Sequence, residues 1–151
     1  MCIIREFKSE DKEQVTKLWI DICVDEYGFV SWKKELEVID DFENLLVAEL
    51  DGEVVGTIAY QKYDDETAEI KRLYVNNKCR GLGIANKLLN TITDIIKESG
   101  YTKLYLETWK QLESGRKFYE KNGFVIRDIQ DGQRYHYIRD IYAIKIILWL
   151  I

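Results

Sequence analysis

Proline is absent from all 151 residues of the chain. With no low-complexity run either, the sequence offers no stiff or disordered linker, and one domain over residues 1–151 is expected. Cysteine is scarce. Cys2, Cys23 and Cys79 are odd in number and widely spaced, with no CxxC pair, so they read as reduced thiols rather than a disulfide framework or a zinc site. His136 is the only histidine; one histidine on a late strand reads as structural rather than as a base, and no metal site is expected. Long apolar runs are missing too. The segment MCIIREFKSEDKEQ turns charged after four residues and is no secretory signal. The apolar tail, residues 141–151, is interrupted by Lys145 and too short to span a bilayer. Positive charge is not in excess: the net charge of -5 argues against a nucleic-acid binder, which needs a basic face to neutralise phosphates. A cytoplasmic protein without a membrane partner is the resulting expectation.

What is present is a succession of well-marked elements. "CIIREF" reads as a strand, and Ser9 precedes an acidic turn and the helical spacing of Val15, Leu18, Trp19 and Ile22. A second helix is expected in "SWKKELEVIDDF", with Ser31 as its N-cap. "NLLVAEL" and "EVVGTIAYQKY" flank Asp51-Gly52, the pair favoured in a type I′ hairpin. "AEIKRLYV" is a further strand, and "IANKLLNTITDIIKES" an amphipathic helix whose stripe is Ile84, Leu88, Ile92, Ile95 and Ile96, stopped by Gly100. "KLYLETW" reads as strand and "LESGRKFYEKN" as helix; "FVIRDIQ" and "RYHYIRDIYAIKII" form a final antiparallel pair around Asp131-Gly132. The order β-α-α-β-β-β-α-β-α-β-β is that of a mixed α/β domain. A parallel crossover is expected only around its central helix.

Between the strand ending at Val75 and that central helix lies "NNKCRGLGIANKLL". Glycines cost stability at a helix start, so Gly81 and Gly83 need a reason. A strand that turns through glycines into a helix exposes free N–H groups at the positive end of the helix dipole, a site for phosphate, and Arg80 adds a fixed charge. Three nucleotide motifs compete. The P-loop pattern GxxxxGK[ST] is missing. The dinucleotide fingerprint GxGxxG is incomplete, since Asn86 stands where its last glycine would, and the segment follows four strands rather than opening the first βα unit. A nucleotide-binding oxidoreductase is therefore disfavoured. The third pattern, R-x-x-G-x-A, is met by Arg80, Gly83 and Ala85.

That pattern resembles the coenzyme A pyrophosphate loop of the GNAT superfamily of N-acetyltransferases. The resemblance continues through "AEIKRLYV", similar to the family's fourth strand, which splays from the fifth to admit the cofactor. "KLYLET" resembles the fifth strand, and "RKFYEKNGF" the late helix with its tyrosine-containing ending. It covers roughly residues 3 to 140 and implies a mostly antiparallel sheet with a central parallel, splayed pair. It also implies acetyl-CoA as cosubstrate and direct attack by a primary amine, of a small molecule or a peptide, on the thioester. Backbone groups of Leu73, Tyr74 and Val75 would hold the pantetheine arm like an added strand. The amides of Arg80, Gly81, Leu82, Gly83, Ile84, Ala85 and Asn86 would bind the pyrophosphate.

Tyr119 would be the general acid, since a phenol with a pKa of about 10 is protonated at neutral pH and can meet a departing thiolate. Glu69, six residues before Val75, has the register of the catalytic glutamate in histone-modifying members and would be the general base, directly or through a water. The family often carries an asparagine seven residues before the tyrosine; here Leu112 stands there, and Ser114 or Lys117 would supply the cofactor contact. Tyr27, Trp32 and Glu26 fall in the region that borders the acceptor in this family, and aromatic and acidic groups suit a cationic amine. The apolar tail makes a homodimer the expected oligomer. A non-catalytic acetyl-CoA sensor of the same fold is the alternative; the intact Arg80, Gly83, Ala85 and Tyr119 weigh against it.

Overall fold

The computed structural model of the protein describes residues 1–28 and 41–142. The helix expected from Ser31 onward, and the greater part of the apolar tail, lie outside the described residues. Among the described residues seven strands form one mixed sheet, in the order β1-β2-β3-β4-β5-β7-β6. They are β1 (Cys2–Glu6), β2 (Asn44–Leu50), β3 (Glu53–Lys62), β4 (Thr67–Val75), β5 (Lys103–Trp109), β6 (Val125–Gln130) and β7 (Arg134–Asp140). Among the described residues three α-helices accompany them: α1 (Lys12–Tyr27), α2 (Ile84–Glu98) and α3 (Glu113–Lys121). No described helix is long and apolar enough to cross a membrane. The chain divides into two compact units, Met1–Gln61 with Lys71–Ile95, and Lys62–Ile70 with Ile96–Ile151. β4 is shared between them.

In the first unit, β1 and β2 pair antiparallel from Cys2↔Leu50 to Glu6↔Leu46, and β2 pairs antiparallel with β3 across the hairpin. Asp51 (φ 51°) and Gly52 (φ 85°) both take positive φ, which is what a two-residue turn needs to match the twist of its strands. The helical spacing of α1 is used as the sequence predicts. Val15, Leu18, Trp19, Ile22 and Cys23 pack against Leu45, Val47, Val54 and Ala59. Burial of each large side chain is worth roughly 2 kcal/mol. The entry to α1 is held by charge. Asp11 is buried, receives the Lys8 N–H at 2.8 Å, and takes both terminal nitrogens of Arg5 at 2.8 and 2.9 Å. The guanidinium holds the Asp11 carboxyl below the usual carboxylate range.

The stripe of α2 is buried at Ile84, Leu88, Leu89, Ile92 and Ile96; Ile95 sits at its edge, half-buried. In the second unit β5, β7 and β6 are antiparallel, from Lys103↔Asp140 to Trp109↔Arg134 and from Val125↔Ile138 to Gln130↔Arg134. The parallel register of β4 on β5 runs Thr67↔Lys103, Ala68↔Leu104 and Glu69↔Tyr105. Leu104, Tyr105, Leu106, Phe124 and Tyr137 are among the buried side chains of this unit.

Candidate active site

The first unit carries the glycine loop. β4 closes at Val75, and the Asn76 N–H then donates to the Val55 carbonyl at 2.7 Å. The Asn76 side-chain oxygen accepts from the Lys78 N–H at 3.0 Å, an Asx turn that starts a single 3-10 turn over Asn77–Cys79. Arg80 is extended, and Gly81 (φ 83°) and Gly83 (φ 76°) are left-handed, a conformation that costs other residues roughly 1–2 kcal/mol. A Cβ on either glycine would meet no atom of the protein within 4 Å. Glycine is thus required by the turn of the main chain and not by crowding, and its backbone lies bare.

α2 starts at once. The Lys87 N–H reaches the Gly83 carbonyl at 3.1 Å, so the amides before it belong to a first turn that has no acceptors inside the helix. That turn contains no acidic residue, and the positive end of the dipole adds to the N–H groups as an anion seat. Among the predicted loop residues, Arg80, Leu82 and Asn86 are exposed, Ala85 is half-buried, and Ile84 is turned into the core. Ile84 can therefore offer an anion only its amide.

Two carboxylates at the end of α1 reach this loop. Asp25 accepts from the Asn77 amide nitrogen at 2.9 Å, and Glu26 lies 3.9 Å from the Arg80 guanidinium. Partial burial raises the Glu26 pKa, the Arg80 charge works against that rise, and Asp25 adds to it. Tyr27 is the last residue of α1, and Trp32 lies outside the described residues.

Leu73, Tyr74 and Val75 are half-buried on β4. Tyr74 packs against Trp19 with ring centroids 6.4 Å apart, and burial pushes its hydroxyl up to about 12. Just before them stands a feature that sequence reading does not find: Arg72 has a φ of 55° within a strand. Its carbonyl accepts the Thr57 hydroxyl at 2.7 Å, and Thr57 Oγ1 in turn accepts the Trp19 Nε1–H at 2.8 Å. The Arg72 guanidinium lies over the rings of Trp19 (5.3 Å) and Phe42 (5.7 Å). Next to Thr57, Gly56 has no room for a side chain: a Cβ there would be 3.0 Å from the Tyr74 carbonyl oxygen and 3.2 Å from Leu88. A glycine inside a strand does signal close approach, and "VVGTIAY" carried that signal.

The second unit carries Tyr119. It is half-buried on α3, edge-on to Phe118 (5.7 Å, 72°) and Phe124 (5.9 Å, 70°), with the Tyr137 ring at 6.2 Å. The "KNG" that follows closes the helix. Gly123 takes φ 89°, the Asn122 side chain donates to the Phe118 carbonyl at 2.8 Å, and the Phe124 N–H returns to the Tyr119 carbonyl at 3.0 Å. Ser114 and Lys117 are exposed on the same helix, and Leu112 is its N-cap residue without a side-chain bond.

Glu69 stands opposite Tyr105 in the parallel register. The Tyr105 hydroxyl donates to Glu107 Oε1 at 2.9 Å and lies 2.5 Å from His136 Nδ1. Burial first, and then the Glu107 carboxylate, raise the Tyr105 pKa well above that of a free phenol. His136 is buried, with Gln130 Oε1 at 3.3 Å from its other nitrogen. Among the described residues, no three histidine, cysteine or carboxylate side chains are grouped to hold a metal ion.

Strand, glycine turn and helix, followed by the tyrosine helix, agree with relationships found by comparison. The sequence model of the acetyltransferase (GNAT) family matches residues 4–124, and the chain belongs to that family. Solved structures of the same fold include a GNAT-family acetyltransferase of Staphylococcus aureus Mu50. It is 24% identical, with a TM-score of 0.83 over 93% of this chain and 99% of that one. The PaiA N-acetyltransferase of Thermoplasma acidophilum, in complex with coenzyme A, is 24% identical with a TM-score of 0.81 over the same shares. A GNAT-family acetyltransferase of Elizabethkingia anophelis with acetyl-CoA bound is 20% identical, with a TM-score of 0.71 over 92% and 97%.

Proposed function

We propose that this chain is an N-acetyltransferase that moves the acetyl group of acetyl-CoA to the primary amine of a small molecule or a peptide, by direct attack in a ternary complex. Acetyl-CoA is the cosubstrate of the family's chemistry, and the Thermoplasma and Elizabethkingia relatives hold coenzyme A and acetyl-CoA. The observation that carries the reading is the turn from Val75 to Asn86, with two left-handed glycines whose backbone is bare at a helix N-terminus. The amides of Arg80 to Asn86 bind the pyrophosphate and the Arg80 guanidinium adds charge, leaving Glu26 for the phosphate. Leu73, Tyr74 and Val75 hold the pantetheine arm through their main chain. Ser114 and Lys117 add contacts to the cofactor.

In the reaction the amine nitrogen forms a bond to the acetyl carbon and the carbon–sulfur bond breaks. The Tyr119 hydroxyl gives its proton to the departing thiolate, and Glu69, directly or through a water, takes the proton the amine loses. Tyr27, Trp32 and Glu26 border the acceptor, where aromatic faces and carboxylates favour a cationic amine. The whole chain works as one catalytic domain, cytoplasmic and paired as a homodimer. The test is thiol release from acetyl-CoA against polyamines, aminoglycosides, amino acids and N-terminal peptides. Turnover with one acceptor class, lost in Tyr119→Phe, is expected. Tight acetyl-CoA binding with no thiol released in any case would replace the reading with that of a sensor.

A further inference from the structure

The backbone that holds the pantetheine arm in this reading needs its own support, and the first unit supplies it from β3. Two neighbouring residues press on the end of β4. Gly56 brings its bare Cα so near the Tyr74 carbonyl that a Cβ would stand 3.0 Å from that oxygen. Thr57, fully buried, gives its hydroxyl to the Arg72 carbonyl at 2.7 Å. Arg72 is the only described residue of a strand interior with a positive φ, 55°. Arginine does not choose that conformation, so something must hold it there. The hydroxyl cannot turn away freely either, because the Trp19 indole N–H occupies its oxygen at 2.8 Å and Trp19 is fully buried on α1. The Arg72 guanidinium stacked over Trp19 closes the arrangement on its other side.

We infer that Thr57 is a positioning residue for the cofactor. Oriented by Trp19, it holds the Arg72 carbonyl turned and so sets the direction of the N–H and C=O groups of Leu73 to Val75. The inference rests on the reading that those groups hold the pantetheine arm. It assigns no chemistry to Thr57, which acts through the β4 backbone alone.

Calorimetric titration of wild type and variants with two probes separates this role from general stability. Coenzyme A carries the pantetheine arm; 3′-phospho-ADP ends at the pyrophosphate and reads the glycine loop alone. Thr57→Val, nearly isosteric but without the hydroxyl, is expected to weaken coenzyme A about tenfold, the net worth of one hydrogen bond, while 3′-phospho-ADP changes by less than about twofold. Thr57→Ser should restore wild-type binding. Thr57→Ala, which cannot crowd the site, must show the same split as the valine variant and serves alone if valine does not fold. Unchanged coenzyme A affinity in the hydroxyl-free variants overturns the inference, and so does equal weakening of both probes. Failure of the wild type to bind coenzyme A overturns the cofactor reading itself, a result distinct from either.

Discussion

The glycine loop and the tyrosine helix meet opposite demands. In the loop the groups offered are main-chain amides, and the side chains at Gly81 and Gly83 are missing altogether; what is fixed is φ. On α3 the group offered is a single hydroxyl at the end of a ring, and what is fixed is the packing of that ring among Phe118, Phe124 and Tyr137. A backbone site tolerates many side chains provided the turn survives. A side-chain site tolerates many backbones provided one atom survives. The two should therefore fail in different currencies, affinity for the loop and turnover for the tyrosine.

The strongest test of that contrast is Tyr119→Phe. The ring keeps its neighbours and only the hydroxyl is lost, so kcat should fall about 100-fold, as for loss of a general acid, with the coenzyme A Kd within about threefold. A parallel loss of both would show that the tyrosine is part of the binding surface. Gly83→Val should do the reverse. A β-branched residue at φ 76° cannot keep the turn, and coenzyme A binding should weaken about thirtyfold, or about 2 kcal/mol. Because that φ strains any side chain even in open space, the melting temperature should fall by a few degrees as well, and saturating cofactor should recover most of kcat. Binding that survives the valine would remove the loop amides from the cofactor site.

Glu26→Gln sharpens the comparison least but from the side of charge. A carboxyl whose folded pKa is raised by burial binds more protons folded than unfolded. Its contribution to stability is then full below the unfolded value near 4.5 and is lost as pH rises through the folded one. The neutral amide should thus melt about 1–2 °C above wild type at pH 7, with the gap closing on acidification. A gap independent of pH would trace to packing instead.

Much of this is legible in the sequence alone. The Asp51-Gly52 turn, the stripe of α2 and the ending "FYEKNGF" are local signals, written within a few residues of where they act. The loop glycines were legible for the same reason: their left-handed φ is a property of the chain at that point. The partners of β4 were not. Thr57 meets Trp19 and Arg72 only after α1, β3 and β4 have packed, and nothing in "IKRLYV" announces that its arginine will be turned to positive φ. The Arg5 to Asp11 bridge was hidden likewise, since an acidic residue before a helix reads first as a dipole or cap contribution; the structure spends it on a guanidinium and a Lys8 amide.

The parallel register of β4 and β5 has a topological consequence for the loop between them. Two parallel neighbours cannot be joined by a tight turn; the chain must leave one strand, cross over through a helix and return to the starting end of the other. Residues 76–102, with the glycine turn and α2, are that crossover. The turn read here as a pyrophosphate seat is therefore no insertion laid upon a finished scaffold. It is the connection the strand order requires in any case, and a lineage could lose the cofactor and still need the turn, but could not delete the turn and keep the sheet.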